Sequence, residues 1–404
     1  MKKKQIFSLV IVNILAIFFI LYLLELLLIF FLKEIDYKHI LNLRLNLYKE
    51  KILTENIALV NTPGFFGNFY LFGGHPNIKT LYCKEGTEEF TFYNSDRYGF
   101  NNDDNVWDND VDIFLIGDSF AKGACVNREH NIAMSLKTLL NKKIINLGMD
   151  DSGSLEQYAS FLEYSNEKKF KLLIWIFSGS NDFGNLEKDK DNHVLIKYLE
   201  NNKFNQNLIS NQNQINEFFD IQKKNLDERM KNFSYKEKYN NLKNFLVLKQ
   251  LKPILKYQVF NRINQILFKN ATKTNNKINI EKNTDTNNKI KIEKNIKNIN
   301  NKLSTDEVLM KTFTEAKKLS LERNYELLIV YNPEFSLKSN PSEYLRFKKI
   351  MSDLDMGFID LKKEFNLRKI DHINLLTFKN GHFSKEGYKI VSKILSEKIN
   401  QIFN

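Results

Sequence analysis

From Val111 onward, short apolar runs alternate with amphipathic stretches, and this alternation restricts the fold more than any other feature of the chain. VDIFLIGD (Val111–Asp118) fits a buried parallel strand, because a strand covered on both faces is apolar throughout. Residues 129–141 place Ile132, Leu136, Leu139 and Leu140 at helical spacing. KIINLGM (143–149) is a second strand, SLEQYASFLEYS (154–165) a second helix, and FKLLIWIFSGSND (170–182) opens as a third buried strand. The pattern then lapses, and resumes with a helix at 305–322, the strands YELLIVY (325–331) and GFIDL (357–361), and a closing helix from about Lys385 to Phe403. Five strands alternating with helices predict a doubly wound α/β sheet. In such sheets ligands sit at the carboxyl ends of the strands, near the point where strand order reverses.

The segments outside this pattern have different compositions. After Lys2, Lys3 and Lys4 comes an apolar run from Ile6 to Leu32, broken only by Ser8, Asn13 and Glu25. At ~1.5 Å per residue it reaches about 40 Å, more than the ~30 Å of a bilayer's hydrocarbon core. It exceeds the length of a signal-peptide core and is followed by no small-residue cleavage site. Residues 1–34 therefore predict an N-terminal transmembrane helix, with the basic end cytoplasmic and the rest of the chain outside the cytoplasmic membrane. Residues 35–110, with turn signals at Pro63-Gly64, Gly73-Gly74 and Asn101-Asn102, read as a stalk and lead-in to a domain spanning 111–404. A long insertion occupies about 185–304. Within it 206–268 is polar and helix-like, and 270–302 is low-complexity, with NNKINIEKN at 275–283 followed by NNKIKIEKN at 287–295. The net charge of +12 comes from Lys over-use in the tails and this segment rather than from a basic stripe interleaved with aromatics, so nucleic acid is not expected as a partner. Cys83 and Cys125 are the only cysteines. A bridge is open to them in an oxidising compartment, but two ordinary buried thiols are the expectation. His39, His75, His130, His193 and His372 have no partners at metal spacing, and no metal is expected.

Three predicted strands end in polar clusters: Gly117-Asp118-Ser119-Phe120, the loop NLGMDDSG from Asn146 to Gly153, and Gly179-Ser180-Asn181-Asp182. FKNGHFSKEGYKI (378–390) places His382 just before the last helix. A serine, a base to take its proton and donors aimed at an oxyanion are the parts of acyl transfer. No Gly-x-Ser-x-Gly elbow is present, which sets the α/β-hydrolase fold aside. Taken together, the four blocks over about 96–190 and 305–400 resemble the SGNH, or GDSL-type, hydrolases, and SDRYGFNND (95–103) resembles the lead-in of their membrane-anchored bacterial members. The resemblance implies a three-layer α/β/α domain on a five-stranded parallel, flavodoxin-like sheet. It implies Ser119 as nucleophile, His382 as base, and an oxyanion hole of the Ser119 N–H, Asn181 and Gly153, with Gly148 as the alternative glycine. No cofactor is implied.

The sequence departs from the family at the acid that orients the histidine, which lies two or three residues before it. Asn380 and Lys379 stand there. Asn380 can fix the tautomer without stabilising imidazolium, and Asp371 or Asp360 are the alternative acids. The expected activity is membrane-tethered, extracytoplasmic ester hydrolysis on an acylated small molecule or an envelope glycan. The rival readings are an O-acyltransferase acting on such a glycan beside a multi-span partner that delivers acyl groups, and a non-catalytic glycan-binding or scaffold protein of the same fold.

Overall fold

The computed structural model describes residues 2–32, 57–59, 63–83, 90–179, 181–201, 203–222, 243, 245, 246, 303–333, 341–377 and 381–403. The low-complexity segment 270–302, most of 206–268, the membrane-proximal part of the stalk and Asn380 lie outside them. The chain divides into two compact units, one of residues 1–52 and 224–300, the other of 53–223 and 301–404.

The first unit contains helix α1, Lys2–Leu32. The Tyr22 hydroxyl donates to the Leu246 carbonyl at 3.0 Å, and its ring lies 5.3 Å from that of Phe245. Glu25 is buried, whereas Leu15, Phe18 and Phe19 are exposed. The side chains of 1–8, 10, 14 and 28–32 fall outside the described set, and among the described residues no helix is long and apolar enough to cross a membrane.

The second unit is an α/β domain on a five-stranded parallel sheet. Its strands are β6 (Ile113–Gly117), β7 (Ile144–Asn146), β8 (Leu172–Ser178), β9 (Glu326–Asn332) and β10 (Phe358–Asp360), in the order β10-β9-β8-β6-β7. Every neighbouring pair is parallel, with Ile113 opposite Ile144 and Leu172, and Leu172 opposite Glu326. After β6 the chain adds β7 on one side and then crosses back to lay β8 on the other, so the order reverses at β6 and β8.

Both faces of the sheet are covered. Phe114, Ile116, Leu173, Trp175 and Phe177 face one core, with α4 (Ser154–Ser165), α7 (Thr305–Arg323) and α8 (Pro341–Asp353) packed on it through Phe161, Phe313 and Phe347. Their sheet neighbours Ile113, Leu115, Leu172, Ile174 and Ile176 face the other, under α3 (Ile132–Leu140), α9 (Leu361–Leu367) and α10 (Lys385–Phe403). The period-two split of wholly apolar strands is what a three-layer sandwich requires.

The lead-in is part of this domain rather than a stalk from Leu53 onward. Strands β1 (Ile57–Leu59), β4 (Lys79–Cys83) and β5 (Thr91–Asn94) form a small sheet, and β2 (Gly64–Phe66) pairs with β3 (Phe69–Leu71). The tie is Asp96, which is fully buried. Its carboxylate accepts the Tyr98 and Phe100 N–H groups, each at 2.9 Å, and the Asn102 amide and Trp107 indole, each at 2.8 Å. Burial nonetheless pushes its pKa up to about 6 against those donors. Asn102 then exchanges two 2.9 Å bonds with the Asn146 backbone at the end of β7. At Gly99, φ is +87° and an added Cβ would lie 2.1 Å from the Gly74 carbonyl oxygen, so the crossing of these two segments requires glycine. The interruption in the alternation is likewise shorter than 185–304 within this domain, because α5 (Asp182–Asp189), α6 (His193–Glu200) and a helical stretch at 212–222 pack with it.

Candidate active site

The ends of β6 and β8 meet where the strand order reverses, and the polar clusters found in the sequence lie there. Strand β6 ends at Gly117, whose φ of +148° and 2.7 Å Cβ-to-Ile176-oxygen approach leave no room for a side chain. The chain then turns into the short helix α2, Ser119–Lys122. Asp118 caps it, its Oδ1 accepting the Phe120 N–H at 3.0 Å. Gly123, at φ +89°, ends it in the left-handed conformation. This sharp strand–turn–helix presents Ser119 at the carboxyl edge of the sheet.

His382 comes to the same edge from the far end of the chain. A bridge between Leu376 and Phe383 closes its turn. The Thr377 N–H and hydroxyl both reach the His382 carbonyl, at 2.8 and 3.2 Å. The imidazole ring packs 4.9 Å from the Phe120 ring. Its Nε2 lies 2.8 Å from the Ser119 Oγ. A serine hydroxyl and an imidazole from positions far apart in sequence therefore share a hydrogen bond, the geometry a general base needs.

The Nδ1 side of the ring faces Cys125 Sγ at 3.8 Å. Cys125 is not a free thiol. It is bonded to Cys83, with the two Cα atoms 5.0 Å apart, so the expectation of two separate thiols is corrected. Forty-two residues of sequence separate the pair, and only the packing of β4 against the turn after α2 brings them together.

Asn181 stands at the N-cap of α5, at the end of β8. The two candidate glycines lie in the loop after β7 and at the start of α4. The Gly148 N–H donates to the Asn146 side chain at 2.9 Å, inside the loop that follows β7. Gly153 begins α4 against α5, where an added Cβ would lie 2.3 Å from Asp189 Oδ2. Gly153 thus serves the packing of α4 on α5. Of the alternative acids, Asp371 is exposed and accepts from the Asn374 amide at 3.4 Å. Asp360 caps α9 through the Lys363 N–H at 3.2 Å and accepts the Tyr344 hydroxyl. Asn380, the residue at the family's acid position, lies outside the described residues.

Two polar networks behind the serine were not legible in the sequence. In the first, Lys122 is fully buried on α2, one turn beyond Ser119. Its Nζ lies 2.8 Å from Asp150 Oδ2 and over the rings of Tyr82 and Tyr93, at 4.7 and 5.3 Å. The Tyr82 hydroxyl closes the set on Asp150 Oδ1 at 2.8 Å. Burial alone would lower the lysine pKa, but Asp150 and Tyr93 outweigh it and the ammonium is held charged.

The second network is a chain of buried acids, Asp118, Asp182, Asp189 and Glu156. Asp182 accepts the Ser178 N–H at 2.7 Å and the Gln157 amide at 3.2 Å. Asp189 accepts the Glu156 N–H at 3.1 Å, and Glu156 accepts the Tyr70 hydroxyl. Burial raises Asp118 to about 6 and Asp189 to about 7. Burial and the neighbouring charge of Asp118 push Asp182 well up; burial and Asp189 do the same to Glu156.

No family model and no curated protein matches the chain. Among solved structures it is similar to a G-D-S-L family protein from Desulfitobacterium hafniense DCB-2, at 11% identity, covering 71% of this chain and 98% of that one with a TM-score of 0.35. A likeness at that level decides nothing about chemistry, whereas the Ser119–His382 hydrogen bond is a property of this chain.

Proposed function

We propose that this protein is a serine esterase of the SGNH type, tethered to a membrane by α1, and that it cleaves ester bonds through Ser119 and His382. The 2.8 Å contact between Ser119 Oγ and His382 Nε2 carries this reading. His382 Nε2 takes the serine proton as Oγ attacks the ester carbonyl. The Ser119 N–H and the Asn181 amide are the donors offered to the oxyanion that forms. His382 then returns the proton to the leaving alcohol, and a water molecule, deprotonated by the same nitrogen, releases the acid from the acyl-serine.

The tether is supported by the Ile6–Leu32 run behind Lys2–Lys4, which the structure forms as one helix, and the disulfide fits a domain facing an oxidising compartment. A C-terminal alkaline phosphatase fusion is expected to be active and a cytoplasmic reporter silent; the reverse pattern contradicts the topology. An enzyme so placed lies beside envelope polymers, and O-acyl groups on an envelope glycan are the substrate class proposed. Esterase activity itself is tested with a p-nitrophenyl acyl ester and with an O-acetylated glycan. Ser119→Ala and His382→Ala are expected to abolish turnover of both while leaving the circular dichroism spectrum and Tm near the parent's. Wild-type protein as inert as Ser119→Ala on both substrates would leave the fold without this chemistry.

A further inference from the structure

The Cys83–Cys125 disulfide ends on the face of the imidazole opposite the serine. Cys125 Sγ is 3.8 Å from His382 Nδ1 while Ser119 Oγ is 2.8 Å from Nε2, so bond and nucleophile bracket one ring. As half of a disulfide, this sulfur has no proton to exchange and only weak acceptor strength. As a thiol at the same place it would be a titrating acid in contact with the base. We propose that the disulfide is a redox latch on the catalytic base: opening it sets a Cys125 thiolate against a His382 imidazolium and withdraws His382 from Ser119 at neutral pH. The proposal rests on the esterase reading for its effect on turnover, but not for the ion pair itself.

The chemistry balances with a dithiol as reductant. Cys125 is buried and Cys83 half-buried, so the attacking thiolate reaches Cys83. A bond forms between the reductant sulfur and Cys83 Sγ, and the Cys83–Cys125 bond breaks with its electron pair leaving on Cys125. The departing Cys125 thiolate is stabilised by a proton on His382, which favours release from that side. The reductant's second thiol then displaces Cys83, so the reductant ends as its own disulfide and the protein gains two electrons and two protons. Of those protons, one stays on Cys83 and the other sits on the imidazole rather than on Cys125. An imidazolium has no lone pair at Nε2 to accept the Ser119 proton. Thiols paired in this way with histidine fall to pKa values of about 3.5–7.5, from about 8.5 when free.

Among the described residues, the other charged and titratable groups around the ring do not reproduce the effect. Asp118, on the α2 side, acts electrostatically on His382 in either redox state. Tyr388 of α10 is engaged through its hydroxyl with the Ala124 carbonyl at 3.2 Å. On the Cys83 side, Lys122, Asp150, Tyr82 and Tyr93 are committed to one another. Asp371 and Asn374 lie in the turn that leads to the histidine, joined by their own side-chain contact.

The test is the pH dependence of kcat/KM for ester hydrolysis by the full chain before and after treatment with a dithiol, beside Cys83→Ala, Cys125→Ala and the double variant. In reduced wild type and in Cys83→Ala the rising limb of the profile is expected to move up by about one pH unit or more, with about a ten-fold loss at neutral pH that recovers in alkali. Cys125→Ala and the double variant are expected to keep the oxidised enzyme's limb. A merely structural bond predicts instead a loss shared by all the variants with the limb in place, and that result overturns the proposal. Independently of turnover, the ultraviolet absorption of the thiolate is titrated in Cys83→Ala with and without His382→Ala. Thiolate is expected below about pH 7.5 only when the histidine is present. Equal titrations in the two overturn the ion pair, and a histidine-dependent titration without any ester turnover overturns the esterase reading alone. If Cys83→Ala does not fold, reduced wild type and reduced His382→Ala give the same comparison.

Discussion

At the scale of single residues, the serine and histidine proposed as nucleophile and base stood out in the sequence because each sits where the fold's rule places chemistry. Ser119 follows Gly-Asp at the end of an apolar strand, and His382 precedes an amphipathic helix. Spacing along NLGMDDSG favours Gly153 as the oxyanion glycine, and its close approach to Asp189 of α5 is a contact that no local spacing reveals. Asn181 does lie at the site, and Asn181→Ala is expected to lower kcat by about 10²–10³-fold, the usual cost of one oxyanion donor. A change under three-fold would remove it from that role. The asparagine two residues before His382, where the proposed mechanism would use an acid, allows a gain instead of a loss. Asn380→Asp, at constant side-chain size, is expected to raise ester turnover about ten-fold or more by stabilising the imidazolium, on the order of 1.4 kcal/mol of barrier. Asp371→Asn is expected to leave turnover within about two-fold, given its contact with Asn374; a large loss there would identify Asp371 as the acid.

Among elements, the five sheet strands and helices α3, α4, α7 and α10 could be read to within a few residues, whereas α5, α6, α8 and α9 were not read, for reasons visible in the structure. The strands of the sheet's centre are covered on both faces and so are apolar without interruption. Helix α7 announces its start by a capping box, with the Glu307 N–H on the Ser304 hydroxyl at 3.2 Å and the Ser304 N–H on Glu307 at 2.7 Å. The lead-in misled because its strands are short and its stability comes from side-chain ties, above all Asp96 and the disulfide, rather than from periodicity. Lys122 ties the same region to α2, and no pattern flags a lysine that is 0% exposed. Lys122→Met removes one partner of a buried pair and leaves Asp150 uncompensated, so it is expected to cost about 3–5 kcal/mol of stability. Chemical denaturation measures this; a loss below about 1 kcal/mol would mean that Asp150 finds water or another donor.

For the whole molecule, the buried acids set the dependence of stability on pH. Asp96 and Asp118 are raised to about 6 and Asp189 to about 7 from an ordinary 3.8. Between these limits the folded protein retains protons that the unfolded chain has released. The unfolded state therefore binds fewer protons, and stability falls as pH rises through that window. Asp103 and Asp104 are lowered, Asp103 by the Arg128 contact that outweighs its burial and Asp104 by Arg97; their contribution is complete above the ordinary carboxylate range and cannot offset the fall. Tm is thus expected to decline from about pH 5 to about pH 8, and a rising or flat Tm would show these acids ionised in the fold. The alternation predicted a doubly wound parallel sheet, while the strand order, and with it the meeting of β6, β8 and the last turn, depends on a reversal that the folded chain displays. That meeting is the core of the functional account, and an active-site-directed fluorophosphonate examines it most directly. The account expects one covalent adduct per chain, on the peptide bearing Ser119, lost in Ser119→Ala and strongly slowed in His382→Ala. Absence of an adduct on the folded wild-type protein, or an adduct that persists in Ser119→Ala, would contradict it.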